Sequence, residues 1–219
     1  MIVIRCGAAP VPPVLAEHPR VNGDEVPSTG QINTALRDVG PRRRILLCGD
    51  DAGLAALVSR LLRTENLDVE VAYVTGDPTP CTVAYGLPTG SAAARLGVDG
   101  TAAEVPLIRD ETGTVLVGEA TATGPGDGPL VGEAYADDAC VFSGQIERLT
   151  VQPTRDLPGV RATAGRRRGL LRRTDWFEAR AVQLGTRAGI LSRDGVTGRR
   201  PVKRTSFYRH IDAWRLVSP

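Results

Sequence analysis

Aromatic residues are scarce in this 219-residue chain: two Trp, four Tyr and three Phe, 4% of the sequence. With 25 Gly and 16 Pro beside them, that scarcity favours a turn-rich mixed or strand-rich fold over a helix bundle. No apolar run approaches the ~20 residues that a membrane-spanning helix needs. The opening Met1-Ile-Val-Ile-Arg-Cys-Gly7 is too short for a secretory leader and has no cationic stretch ahead of its apolar run. A cytoplasmic protein is therefore expected. Cys6, Cys48, Cys81 and Cys140 are widely spaced and form no C-x-x-C; His18 and His210 have no partner at ligand spacing. Both facts argue against a structural zinc. Cys6, Cys48 and Cys140 sit in apolar runs and read as buried small hydrophobes in a reducing compartment. G-x-S-x-G is missing, so nothing local marks a serine hydrolase, although a triad assembled in space stays open.

What is present describes a globular protein. Hydrophobic residues make up 42% and charged residues 24% of the chain. The length suits one large domain or two small ones and is enough to bury a core. The net charge of +2 hides a strong asymmetry. Residues 1–96 carry 9 basic and 10 acidic side chains, residues 97–150 carry 2 and 10, and residues 151–219 carry 16 and 5. The basic end either pairs internally with the acidic middle or forms a face for a phosphate-bearing or membrane-surface partner.

The pattern along the chain predicts a short strand over 1–7, a Pro-rich loop over 8–29, and a helix capped by Ser28 or Thr29 that runs to Gly40. Ile45-Leu-Leu-Cys48 is an unbroken apolar run of the kind found in buried parallel strands. Leu54, Ala55, Leu57, Val58, Leu61 and Leu62 then recur at helical spacing, and Val69–Val74 reads as the next strand. Residues 43–75 thus form a strand–turn–helix–strand unit. Cys81–Tyr85 reads as a short strand, and Ala92–Leu96 as a helix closing at Gly97. Beyond it the period changes to short strands between turns: 103–109 and 114–120 around Asp110-Glu-Thr-Gly113, then 130–135, 139–143, 145–152, 159–163, 177–184, 188–192, 201–207 and 211–217. The expected architecture is α/β: a small Rossmann-like N-terminal domain over 1–97, then an antiparallel β-sandwich-like domain over 98–219.

Two turns are placed to hold an anion. Gly49-Asp50-Asp51-Ala52-Gly53 lies between a strand and a helix, where free backbone N–H groups and the positive end of the helix dipole suit a phosphate. Glycine lets the backbone approach, and the acid can meet a metal or a ribose hydroxyl. The bland alternative is an ordinary turn whose Asp51 caps the helix. Leu87-Pro88-Thr89-Gly90-Ser91 repeats the arrangement, with capping by Ser91 as its own alternative. Two such turns at one sheet edge would form the crevice in which open α/β sheets bind ligands.

In these residues the chain resembles the diacylglycerol kinase catalytic family, which shares its fold with the NAD kinases. Gly49-Asp50-Asp51-Ala52-Gly53 occupies the frame of that family's Gly-Gly-Asp-Gly-Thr, with Gly49 matching the first glycine and Asp51 the acid. Asp50, Ala52 and Gly53 depart from it. Pro88-Thr89-Gly90-Ser91 followed by Ala94-Arg95-Leu96-Gly97 resembles Pro-x-Gly-Thr and Ala-Arg-x-Leu-Gly, without the intervening Asn-Asp. Arg193-Asp194-Gly195-Val196 resembles the strand-borne Asp-Gly-Glu, with Val196 in place of Glu. The resemblance spans roughly residues 40–219. It implies ATP and Mg²⁺ as cofactors, Gly49, Asp51, Gly53, Gly90 and Ser91 around the nucleotide, Asp51 as the metal-binding or nucleotide-orienting acid, and Asp194 near the acceptor. The implied reaction is phosphorylation of a lipid hydroxyl by a protein peripheral to the membrane. A carboxylate at Asp50 sets a like charge beside a phosphate, at about 4 kcal/mol for ~4 Å separation at an effective dielectric of ~20. A kinase-fold protein that binds a nucleotide or anionic partner without catalysis is the second expectation.

The third comes from the basic end. Arg161-Ala-Thr-Ala-Gly-Arg166-Arg-Arg168-Gly-Leu-Leu-Arg172-Arg173 precedes Trp176 and Phe177, and Arg199–His210 interleaves cations with Phe207 and Tyr208. Such stretches suit an anionic bilayer or nucleic acid, and also an ordinary hairpin loop and a two-faced strand.

Overall fold

The computed structural model describes residues 1–165 and 175–219. The chain divides into two compact units, one of Met1–Val105 with Asp212–Pro219 and one of Pro106–Ile211. The expected division after residue 97 falls inside a helix, and a contiguous division cannot contain the C-terminal eight residues that return to the first unit.

The first unit runs β1 (Ile2–Cys6), β2 (Arg20–Gly23), α1 (Thr29–Asp38), β3 (Arg44–Cys48), α2 (Asp51–Arg63), β4 (Glu70–Val74), α3 (Pro80–Tyr85) and α4 (Gly90–Asp99). Its sheet is parallel, ordered β2-β1-β3-β4, and Arg215 and Leu216 from the chain's end add a fifth strand beside Glu70 and Val71. Side chains alternate across the pleat. Val3, Leu46, Cys48, Ala72 and Val74 form one core with Ala93 and Ala94 of α4, while Ile45, Leu47 and Tyr73 are buried from the other face.

Capping chemistry explains the helices and one correction. Ser28 and Gln31 make a reciprocal capping box that opens α1. Thr79 and Thr82 make another, with Pro80 at the first turn, so Cys81–Tyr85 is helical and not the expected strand. The Pro-rich stretch read as loop contains β2, held by its register with Val3–Cys6. Gly97 does not close α4 but lies inside it, where a Cβ would stand 2.8 Å from Leu46 Cδ2. The true stop comes from Arg44. This 2% exposed side chain donates from Nη1 to the Gly97 and Val98 carbonyls (2.7 and 3.2 Å) and from Nη2 to Gly100 (2.8 Å), and its Nη2 pairs with Glu70 at 2.7 Å. The orphan carbonyls of the helix end thus meet a buried cation.

The chain then enters β5 (Ala102–Asp110), β6 (Val115–Leu116), β7 (Ala120–Thr123), β8 (Leu130–Ala136), β9 (Ala139–Ile146), β10 (Arg148–Pro153), β11 (Val160–Gly165), β12 (Phe177–Ala179), β13 (Ala181–Arg193), β14 (Val196–Thr197) and β15 (Val202–Val217). The pairing within the second unit is antiparallel along β12-β11-β10-β7-β13-β15, and β8 and β9 branch from the first half of β13. Leu130, Ala134 and Phe142 of the branch pack with Leu149, Val151, Val160 and Phe207 in one core. The segments read separately as 177–184 and 188–192 are divided otherwise, because β13 is continuous across a register shift between Gly185 and Gly189. Likewise 201–207 and 211–217 are one strand, β15. Cys140, expected buried, lies exposed on β9; the other three cysteines are buried, and none of the four is in a disulfide.

Candidate functional site

Both glycine turns hang from the end of β4. The Gly49 amide donates to the Val74 carbonyl (3.1 Å) and the Gly90 amide to the Thr75 carbonyl (2.7 Å). Consecutive carbonyls, on Cα atoms ~3.8 Å apart, therefore tether the two turns at one sheet edge. Both turns thus meet at the end of β4. The amides that join them there, however, are spent in doing so.

The same holds along the first turn. Asp50 is the N-cap of α2, and its Oδ1 accepts from the Gly53 amide at 2.9 Å. Asp51, 5% exposed, opens the helix; its Oδ1 accepts from the Tyr73 hydroxyl (2.8 Å) and its Oδ2 from the Cys81 amide (3.0 Å). Burial, and then the Asp51 charge, push the Tyr73 phenol upward from its ordinary range, which keeps it a proton donor. Asp51 thus ties α2 to β4 and to the start of α3. Two carboxylates already stand at the positive end of α2, where an external anion would sit.

The glycines have a packing reason as well. A Cβ on Gly49 or on Gly53 would stand 2.8 Å from the Cys6 sulfur. Burial, with a contribution from Asp50, pushes the Cys6 thiol up to about 12, so it faces both glycines protonated. If crowding by sulfur is what requires glycine, Gly53→Ala should cost about 1–3 kcal/mol. Adding Cys6→Ala should return most of that loss, because alanine is otherwise favoured over glycine in a helix by about 1 kcal/mol. A double-mutant cycle in urea measures this, and a coupling near zero refutes the crowding.

The second turn is more open. Gly90 has φ +60 and a Cβ there would meet nothing within 4 Å. Thr89, the N-cap of α4, makes no side-chain cap bond, and Ser91 is exposed.

Asp194 belongs to the second unit. Asp194 and Gly195, with φ +47 and +83, form the two-residue turn between β13 and β14, the conformation for which Asp-Gly is favoured. The carboxylate points inward, 6% exposed, and accepts from the amides of Val117 (3.2 Å), Gly118 (2.7 Å) and Glu119 (3.1 Å). Beside it Arg193 Nη2 meets the fully buried Asp110 at 2.8 Å. Val196, where the resemblance would place a glutamate, is exposed on β14.

The residues present do not fit a magnesium–triphosphate site at the first turn. Asp51 has both oxygens engaged by donors, Asp50 caps its own helix, and the Gly49, Gly53 and Gly90 amides donate within the protein. No group of three or more His, Cys, Asp or Glu side chains able to hold a metal exists among the described residues. Tyr73, the Cys81 amide and Cys6 are the partners that sequence reasoning missed. Only Cys6, next to an apolar run, carried any signal, and that signal was for burial alone.

Comparison of the whole architecture with solved structures decides the fold. A diacylglycerol kinase from Bacillus anthracis str. Sterne superposes with a TM-score of 0.74 at 10% identity, covering 100% of this chain and 96% of that one. This is the diacylglycerol kinase fold. An NAD kinase from Archaeoglobus fulgidus in complex with ATP matches at a TM-score of 0.64 and 9% identity, covering 100% and 94%. No family model and no curated protein matches the sequence. Among the described residues no helix is long and apolar enough to cross a membrane.

Proposed function

We propose that this chain keeps the diacylglycerol kinase fold as a binding scaffold and does not transfer phosphate. The observation that carries the reading is the commitment of Asp51. Phosphoryl transfer requires charge neutralisation at the phosphates, usually by Mg²⁺ held on carboxylates. Here Asp51 holds Tyr73 and Cys81, and Asp50 supplies negative charge without a free coordination role. Both acids serve the architecture of the turn. Incubation with radiolabelled ATP, Mg²⁺ and diacylglycerol micelles should transfer no label above a protein-free control. Asp51→Asn should lower the melting temperature while changing no transfer. Label transfer that Asp51→Asn abolishes would overturn the reading.

The open second turn favours a companion reading: metal-independent docking of a nucleotide phosphate at the start of α4, near Gly90 and Ser91. The ATP-bound NAD kinase among the fold neighbours supports it. Millimolar ATP should then raise the melting temperature equally with Mg²⁺ and with EDTA. A shift seen only with Mg²⁺ would remove this reading.

A further inference from the structure

One end of the second unit carries exposed cations that form no ion pair with the described residues. Arg187, Arg199, Arg200, Lys203 and Arg204 are all exposed, and none makes an ion pair or side-chain hydrogen bond with any described residue. The backbone gathers them. Gly185 pairs with Arg204 and Gly189 with Val202, so Lys203 lies opposite the irregular 186–188 segment that carries Arg187. Arg199 to Arg204 spans no more than ~18 Å of chain, and paired strands lie ~4.8 Å apart. No acidic residue occurs between Gly195 and Ile211. Two carboxylates adjoin the cluster: exposed Glu133, which pairs with Gly185 on the side away from Arg204 and so shares its face of the sheet, and Glu111, which accepts from the Ser206 amide at 2.9 Å.

The aromatic residues interleaved with these cations in sequence do not join them at the surface. Phe207 is buried in the core, and Tyr208 lies under the Arg109 guanidinium at 4.8 Å. This end of the second unit is therefore predominantly cationic, and β14 adds one large exposed apolar side chain, Val196. Lasting attachment to a bilayer needs an apolar insertion beside the charge, and unpaired bases need aromatic platforms. A nucleic-acid duplex needs neither: it presents one phosphate charge per ~1.7 Å of axis, and its ~12 Å major groove admits a two-stranded ribbon. Arginine's planar fork also suits phosphate oxygens.

We propose that the β13–β15 end of the second unit is a docking surface for the phosphate backbone of a nucleic-acid duplex, without sequence selectivity. The surface lies wholly within one unit and is independent of the chemistry at the glycine turns.

Fluorescence anisotropy of the full chain with a labelled 20-base-pair DNA, across a salt series, tests it. Binding should weaken linearly in log–log form as salt rises. The variant Arg199→Gln/Arg200→Gln/Lys203→Gln/Arg204→Gln should lose about tenfold or more in affinity at low salt. Its salt slope should flatten by about 0.9 for each phosphate that is no longer neutralised. The control Arg37→Gln/Arg42→Gln/Arg63→Gln, in exposed cations of the first unit, should keep the original slope. Circular dichroism verifies that both variants fold. An unchanged slope in the quadruple variant overturns the proposal, as does binding to anionic phosphatidylserine vesicles with none to the duplex, or binding to neither.

Discussion

Replacing Arg44 by alanine should destabilise the first unit by about 3–5 kcal/mol, the cost of removing one partner from a buried charged cluster. The side chain is 2% exposed and serves two purposes at once. It neutralises Glu70 on the neighbouring strand, and it donates to the carbonyls of Gly97, Val98 and Gly100 at the end of α4. Without it those carbonyls lose this donor, and among the described residues Glu70 keeps the ion pair with half-exposed Arg215 at 3.2 Å. Trp214, buried edge-on to Tyr85 with ring centroids 5.9 Å apart, reports the unfolding of this unit by fluorescence once Trp176 is changed to Phe. Arg43→Ala is the matched control. Its pair with Asp68 is 2.8 Å long but exposed on both sides, so the loss should stay below about 1 kcal/mol. Equal losses at the two positions would mean that burial does not set the value of the Arg44 cluster.

Arg44 also marks where sequence reading stops. The Ile45–Cys48 run, the helical spacing from Leu54 to Leu62 and the Val69–Val74 strand are legible because each pattern lies within one element. The role of Arg44 is not, because its partners sit 26 to 56 positions away and come together only once α4 packs on β4. Cys81–Tyr85 shows a local error of another kind. Its Thr, Val and Tyr suggest a strand, yet the Thr79–Thr82 box and Pro80 were present in the sequence and decide for helix. β2 has only four residues in a Pro-rich stretch and exists because β1 offers it a parallel edge. β15 reads as two strands because polar Arg209 and His210 interrupt the pattern between Phe207 and Ile211, whereas the backbone continues as one strand. At the candidate site the turns and helix starts were legible from glycine and hydroxyl placement. Which amides remain for a ligand was not, since that depends on β4 being the strand that receives them.

Asp194→Ala should cost about 3 kcal/mol or more, because three backbone donors, two of them buried and one half-buried, lose a charged acceptor and each unsatisfied buried group costs about 1–3 kcal/mol. The donors are the consecutive amides of Val117, Gly118 and Glu119, at 2.7 to 3.2 Å. The return bond from the Asp194 amide to the Glu119 carbonyl, 2.8 Å, locks the same segment to the β13–β14 turn. Asparagine tolerates the left-handed backbone that Asp194 adopts and keeps one acceptor oxygen. Asp194→Asn should therefore lose less than alanine does. Urea titration of both variants ranks them, and the expected order is wild type, Asn, Ala. A residue acting on an acceptor would give a different pattern: alanine and asparagine equally inactive, with stability nearly unchanged. The resemblance to a strand-borne Asp-Gly-Glu and the preference of Asp-Gly for a tight turn share the same residues, and stability separates them. Loss confined to catalysis would assign Asp194 to chemistry, whereas graded loss of folding assigns it to holding the 117–119 segment against the turn.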